Sequence, residues 1–203
     1  MEQRSEEWFA ARAGYVSASR MAGVMVEKRP SSTRDNLIAE LICERLTGTS
    51  GNTFSSPAMQ RGVDLEPIAR SWYEATAGAM AFECGFIKHP TIPMFGASPD
   101  GLVGDDGLLE IKCPNTATHI ETLLRGSYDT AYRYQIQAQL ACTGRPRCDI
   151  VSHHDRLPPH MAGARFRVMR DDDTIARIEA AVADINAEIA GMLEKLQATY
   201  HKD

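Results

Sequence analysis

No apolar run in the 203-residue chain approaches the roughly 20 residues that a membrane-spanning helix requires, so a membrane span is not expected. The opening Met1-Glu2-Gln3-Arg4 lacks the basic-then-apolar order of a signal peptide, and the expected location is the cytoplasm. Cysteine is scarce and irregular: Cys43, Cys84, Cys113, Cys142 and Cys148 form no C-x-x-C pair and are odd in number. They read as reduced, mostly core residues, not as a disulfide frame or a metal site. His153-His154 is the one adjacent histidine pair. Neighbours on a strand point to opposite faces, which makes the pair a poor chelate and predicts surface polarity. No Pro/Gly/Ser-rich linker or low-complexity tract interrupts residues 1–203, so one domain is expected. A positive excess is missing too. The formal net charge of −5 argues against broad, non-specific nucleic-acid binding. It leaves room for a local basic track, because exposed charges are screened over about 8–10 Å at physiological salt. Arg4, Arg12 and Arg20 crowd the N-terminal segment.

What is present is concentrated between Ala97 and Pro114. Leu108 to Cys113 alternates as a strand with one buried face does, so Leu109 and Ile111 point one way while Glu110 and Lys112 share the other. Pro114 closes that strand, and Gly104-Asp105-Asp106-Gly107 is the turn before it, which puts Asp100 on the preceding arm of a hairpin. For Asp100 and Glu110 to meet on one face, even-numbered residues must pair with even-numbered ones across the turn. Two facing carboxylates repel unless a cation lies between them. A hard divalent ion with oxygen ligands, Mg²⁺ or Mn²⁺, suits the site. Phosphodiester hydrolysis uses such a set: the carboxylates hold ions that polarise the phosphate and acidify a water, and Lys112 orients that water or neutralises developing charge. The same residues have a plainer reading, since Pro-Asp-Gly is common turn chemistry and Glu-x-Lys is ordinary salt-bridge decoration.

Along the chain, Ser5 to Ala13 reads as a short helix capped by Ser5, and Ser17 opens a second helix running to about Glu27. Arg12 with the hydroxyls of Ser17 and Ser19 at that helix start suits a phosphate; the alternative is a capped helix with a surface arginine. Residues 28–34 form a polar loop, and Asp35 to Thr47 a structural helix. Pro57 to Thr76 is helical with a core stripe of Leu65, Ile68, Ala69 and Trp72. Glu66 lies on it beside Pro67, where a kink could aim it into a cleft; a solvated helix glutamate is the alternative. Ala81 to His89 and Met94 to Ser98 read as strands. After the hairpin come helices at Thr116–Arg125 and Thr130–Cys142. On the second, Gln135 and Gln139 share a face with Tyr132 one turn earlier, while Gln137 points elsewhere. Strands at Cys148–Ser152 and Ala164–Met169 follow. A last helix from Asp172 to about Thr199 carries a heptad seam from Ile175 to Leu196, expected to pack mainly on the protein's own core.

Four motifs in one order resemble the phage lambda-type alkaline exonucleases, the YqaJ-like viral recombinases of the PD-(D/E)xK nuclease superfamily. They are Glu2-Gln3 with Trp8-x-x-x-Arg12-x-Gly14-x-x-x-Ala18-Ser19; Gly62-x-x-x-Glu66 with Ala69-Arg70; Ser98-Pro99-Asp100-Gly101-Leu102 with Gly107 to Pro114; and Tyr132-x-x-Gln135-x-Gln137. The likeness fades in the last third, and residues 22–56 match poorly. The resemblance implies an α/β fold with α+β character, a central mixed sheet flanked by helices in the restriction-endonuclease-like manner. It implies that Asp100, Glu110 and the carbonyl of Ile111 ligate the metal, that Lys112 is the catalytic lysine, and that Glu66 approaches a second ion. Gln135 becomes the glutamine beside the active site. Arg12 and Ser19 receive a 5′-phosphate, with Ser17 nearby. The activity implied is Mg²⁺-dependent 5′→3′ digestion of one strand of duplex DNA, releasing mononucleotides and leaving a 3′ overhang, by a homotrimeric ring that works with a single-strand annealing protein. A PD-(D/E)xK endonuclease and a non-catalytic DNA-end-binding scaffold are the alternatives.

Overall fold

A computed structural model describes residues 3–26, 31–51 and 56–200. The first helix, α1 (Glu6–Arg12), starts where predicted. The Ser5 hydroxyl accepts the Trp8 amide at 3.2 Å, and Glu6 and Glu7 occupy the electropositive first turn. The predicted second helix is corrected. Val16–Ser17 form a strand, β1; Ala18–Arg20 make a single 3-10 turn; and only Met21–Val24 are α-helical, as α2. Strand pairing explains the change, since Val16 and Ser17 lie beside Phe95 and Gly96 in a parallel ladder. The far end of that predicted helix, Glu27, lies outside the described residues, as do residues 28–30 of the predicted polar loop and 52–55 of a turn-rich stretch.

Helix α3 (Ser32–Thr47) begins earlier than expected because Ser31 caps it. Helix α4 (Pro57–Ala77) has Ser56 as its cap and runs through Pro67. Its buried residues are Leu65, Ala69 and Tyr73, so the stripe is rotated from the predicted one and Ile68 is 53% exposed. The predicted strand from Ala81 to His89 breaks into β2 (Ala81–Phe82) and β3 (Ile87–Lys88), which join different sheets. Then come β4 (Phe95–Ala97), β5 (Gly101–Val103), β6 (Gly107–Lys112), α5 (Thr116–Arg125), α6 (Arg133–Thr143, after a 3-10 turn at Thr130–Tyr132), β7 (Arg147–His153), β8 (Gly163–Met169) and α7 (Asp172–Tyr200).

Two mixed sheets result, one of three strands ordered β1-β4-β3 and one of five ordered β2-β5-β6-β7-β8, with helices packed around them. β5 and β6 form the expected hairpin, pairing Gly101 with Leu109, Leu102 with Leu108 and Val103 with Gly107. One step further along, that register sets Asp100 opposite Glu110. β6 then runs parallel to β7, and α5 and α6 make the crossover that a parallel pair requires.

β6 is buried on both faces, not on one as its alternation suggested. Leu109 and Ile111 pack with Ala69, Tyr73 and Val151 under α4. Leu108 enters the main core with Ile136 and Leu140 of α6 and Ile178, Val182 and Ile185 of α7. The α7 seam is buried from Ile175 to Ile189, but Met192 and Leu196 are 40% and 38% exposed, so its last turns overhang the core. The five cysteines are free, with Cys142 and Cys148 buried and Cys43 exposed. His153 and His154 are both buried, against the surface position expected of them. β7 is interior, so both of its faces are covered: His153 lies against Trp72, and His154 Nε2 lies 3.0 Å from the Thr116 hydroxyl. Among the described residues, no helix is long and apolar enough to cross a membrane.

Candidate active site

Glu110 sits on the central strand of the larger sheet and is only 2% exposed. A carboxylate so buried needs donors on both oxygens, and α6 supplies them. Gln135 Nε2 donates to Glu110 Oε1 and Gln139 Nε2 to Oε2, each at 2.6 Å. Gln137 faces away and bonds the Met169 carbonyl and the Asp171 amide, as the helical spacing predicts. Lys112 Nζ lies 2.6 Å from Glu110 Oε1 and 4.6 Å from the centre of the Tyr132 ring. Burial alone pulls the Lys112 ammonium toward neutrality, but Glu110 and Asp100 outweigh it and hold its pKa above the ordinary lysine value. Lys112 therefore stays charged at neutral and mildly alkaline pH. In the metal-free site it is a fixed cation and hydrogen-bond donor.

Asp100 Oδ2 accepts the Ile111 amide at 2.6 Å, which fastens it to β6 beside Glu110. Burial, then the negative charges of Glu110 and Glu66, push its carboxyl well above the usual aspartate range. The Asp100 carbonyl is held by Arg70 at 2.7 Å. Arg70 also lies 3.5 Å from Glu66 Oε1, one turn away on α4, while Arg4 pairs with Glu66 Oε2.

Across the cleft the Arg12 guanidinium stacks 4.1 Å from the centre of the Trp8 ring and donates to Ser17 Oγ at 3.4 Å. The Ser17 and Ser19 hydroxyls are 3.1 Å apart. Trp8 Nε1 donates to Ser98 Oγ at 2.9 Å, tying α1 to the segment that carries Asp100. Of the N-terminal arginines once grouped as a basic track, Arg4 pairs with Glu66 and Arg20 with Glu44. Arg12 has no carboxylate partner among the described residues. Burial, and then Arg20 nearby, lower its pKa to about 10. A half-buried guanidinium without a carboxylate partner has the chemistry to take an anion, and the two serine hydroxyls lie beside it. The helix start expected there is only one 3-10 turn and adds no helix dipole.

All nine residues singled out from the sequence line one cleft of about 630 Å³: Arg12, Ser17 and Ser19 at one end, Glu66 on α4, Asp100, Glu110, Ile111 and Lys112 on the hairpin, and Gln135 on α6. Gln139, Arg70 and Arg4 also hold site carboxylates: Gln139 was expected only to share the face of Gln135, as an amide for a water or backbone oxygen or as part of a polar face, and the two arginines carried no such role. Gln139 and Arg70 were within reach of helical spacing, at i+4 from Gln135 and Glu66. Arg4 carried no periodic signal.

Asp100 and Glu110 offer carboxylate oxygens to a cation, and among the described residues no histidine or cysteine side chain is hydrogen-bonded to either. That chemistry suits Mg²⁺ or Mn²⁺ over zinc. Among the described residues no three His, Cys, Asp or Glu side chains are grouped closely enough to hold a metal alone, so the set needs a backbone oxygen such as the Ile111 carbonyl. Burial, with the charges of Glu110 and Glu66 after it, disfavours a bare carboxylate at Asp100, and a bound cation would offset that cost. The residues present fit a hard divalent cation.

The profile of the YqaJ-like viral recombinase domain matches residues 7–146. An alkaline exonuclease from Laribacter hongkongensis is 53% identical, with a TM-score of 0.90 over 96% of this chain and 97% of that one. The same alkaline exonuclease solved in complex with dAMP gives an equal match. A phage-related exonuclease from Haemophilus somnus 129PT shares the fold at 14% identity, with a TM-score of 0.74 over 90% of this chain and 96% of that one. Comparison with curated proteins finds no match.

Proposed function

Because the chain belongs to the YqaJ-like viral recombinase family, we propose that it is a Mg²⁺-dependent 5′→3′ exonuclease that degrades one strand of duplex DNA from an end, with Mn²⁺ able to substitute. The observation that carries this reading is a single cleft holding both a buried carboxylate pair with a charged lysine and an arginine that lacks an anion.

Asp100, Glu110 and the Ile111 carbonyl would hold the cation, with Glu66 reaching a second. A cation held there would supply polarisation of the scissile phosphate and acidification of a water. Gln135 and Gln139 fix the Glu110 carboxylate so that its free lone pairs face the cleft. Lys112, kept protonated, donates to the attacking water or to the phosphate oxygens as charge accumulates. Arg12 grips the 5′-phosphate by two nitrogens, with Ser17 and Ser19 beside it. Anchoring the terminal phosphate at one end of the cleft sets the reacting phosphate at a fixed remove, which favours release of mononucleotides and leaves a 3′ overhang. The binding of dAMP, a mononucleotide, by the Laribacter hongkongensis enzyme accords with this.

Residues 1–203 act as one nuclease domain in the cytoplasm, assembled as a homotrimeric ring and paired with a single-strand annealing protein. An acidic protomer has little basic surface with which to stay on DNA, whereas a closed ring keeps it linked to its track. Light scattering on the 22.4 kDa chain should give about 67 kDa; a monomer removes the ring. One gel tests the activity, using 5′-phosphorylated linear, 5′-dephosphorylated linear and closed circular duplex, each with Mg²⁺ and with EDTA. Digestion of linear DNA alone, fastest with a 5′-phosphate and absent in EDTA, is expected. Nicked circles would make the protein an endonuclease, and binding without a Mg²⁺-dependent product would make it a scaffold.

A further inference from the structure

Glu66 stands apart from the other two acids because its charge is already compensated from outside the catalytic hairpin. Arg70 touches Glu66 Oε1 at 3.5 Å but is bound more firmly elsewhere, to the Asp100 carbonyl at 2.7 Å and the Ala81 carbonyl at 3.3 Å. It is a strut between α4 and the sheet. Arg4 is different: its guanidinium meets Glu66 Oε2 and has no other partner among the described residues.

The backbone at Arg4 is left-handed, with φ of 68°, a conformation disfavoured for any residue with a Cβ. The neighbours on both sides impose it. Gln3 Nε2 donates to the Cys84 carbonyl at 3.0 Å and the Pro99 carbonyl at 2.8 Å, while Ser5 caps α1. Pinned at each end, the turn throws the Arg4 side chain back across the mouth of the cleft onto Glu66. The two partners differ in burial, with the Arg4 side chain 44% exposed and that of Glu66 15%. The cation is thus the partner free to leave, and the carboxylate is fixed in the wall. Glu66 is close enough to Asp100 for its charge to raise the Asp100 pKa. Arg4, Glu66 and Asp100 line the same cleft, so a cation drawn to the Glu66 carboxylate there competes with Arg4 for it.

We propose that Arg4 is an internal counter-ion for Glu66, which a divalent cation entering the Glu66 side of the site must displace. The assignment rests on the proposed reading in which Asp100 and Glu110 hold one ion and Glu66 reaches a second. Its consequence is that the second ion binds more weakly than the oxygen donors alone would allow. When it does bind, it frees a guanidinium at the cleft mouth.

The test is a Mn²⁺ titration of the DNA-free protein, followed by calorimetry and by the electron paramagnetic resonance signal of free Mn²⁺. Arg4→Gly and Arg4→Asn both tolerate a left-handed backbone and both remove the charge. In each, the weaker Mn²⁺ site should tighten by about 3- to 10-fold, while Arg4→Lys stays within about twofold of the wild type. Thermal melting confirms that the variants are folded. Neutral variants that bind Mn²⁺ no more tightly than the wild type overturn the counter-ion role. Asp100→Asn separates the two readings. If it leaves Mn²⁺ binding intact, the metal site itself is misassigned; if it abolishes binding while Arg4→Gly changes nothing, only the role of Arg4 fails.

Discussion

Asp100→Asn should stabilise the metal-free protein while abolishing its response to Mg²⁺. The hairpin register sets Asp100 opposite Glu110, where facing side chains on paired strands stand about 5 Å apart. Two unit charges at that distance, in an effective dielectric of about 20, repel by about 3 kcal/mol. Lys112 offsets part of this, leaving a relief of about 1–2 kcal/mol when the charge at position 100 is removed. The asparagine oxygen can still accept the Ile111 amide, so the hairpin keeps its fastening. For a domain of this size such a gain raises Tm by about 2–8 °C. The pH dependence has a definite sign. The folded-state pKa of Asp100 is raised, so folding favours its protonation, and the advantage of the variant should be larger at pH 8 than at pH 6, shrinking as pH falls through that pKa. Scanning calorimetry in EDTA and in Mg²⁺, at pH 8 and pH 6, measures each term. In the wild type Mg²⁺ should raise Tm by mass action, and in the variant it should not. A variant less stable than the wild type in EDTA, or one that keeps the Mg²⁺ shift, would refute the reasoning.

Arg12→Ala should erase the preference for 5′-phosphorylated over 5′-hydroxyl ends more than it slows digestion already under way, measured by comparing initial and steady rates on both ends. Equal losses on both would mark a structural arginine. Lys112→Ala should lower turnover by about 10²–10³-fold with Mn²⁺ affinity nearly unchanged, since the ammonium acts on the water or the phosphate and not on the ion. Glu110→Gln should fold and bind DNA ends but not turn over. Gln139, whose Oε1 is buried without a partner, can rotate its amide to accept the new nitrogen, and the melting temperature reports whether it does. Burial lowers the pKa of His153 and His154, so the unfolded chain takes up protons more readily than the folded one. Stability should be full above pH of about 6.5 and fall as pH drops below it. Urea midpoints across pH 5–8 should show that slope, and His153→Gln should flatten it.

Local signals in the sequence located most elements. The cap Ser5 and the terminating glycines Gly48, Gly78, Gly126 and Gly144 act within one turn, and the helix ends they set lie where those residues put them. Apart from the start of α3, which the neighbouring Ser31 cap moves forward, the errors fall where a partner far along the chain decides. Val16 and Ser17 leave a plausible helix because Phe95 and Gly96 offer a ladder. β2 and β3 separate because each finds a different sheet, which no window of neighbouring residues contains. The stripe of α4 rotates by one position because the apolar face of β6 calls for Ala69 and Tyr73 there, and Ile68 is left to solvent.

The hairpin was legible for a geometric reason. The turn closes one residue sooner than expected, because Gly107 pairs with Val103, and that odd loop with a period of two brings Asp100 and Glu110 to a single face, with Lys112 set beside them by alternation. What encloses the hairpin is not local. Helical spacing puts Gln135 and Gln139 on one face of α6, but the 25 and 29 residues separating them from Glu110 give no reason why that face should meet this strand. The reason is packing. Ile136 and Leu140, each next in sequence to a clamp residue, are fully buried in the core with Leu108, and seating them brings the adjacent glutamines down onto the next even-numbered residue of β6. The apolar side chains thus aim the polar ones. Enlarging Ala138, fully buried between them, should displace both amides from Glu110 and impair turnover at a site it does not touch. Ala138→Val is the test: kcat should fall while the preference for 5′-phosphorylated ends, set at Arg12 on the far side of the cleft, stays intact. Loss of that preference together with kcat would mean that α6 holds the whole cleft open and does not serve to aim Glu110.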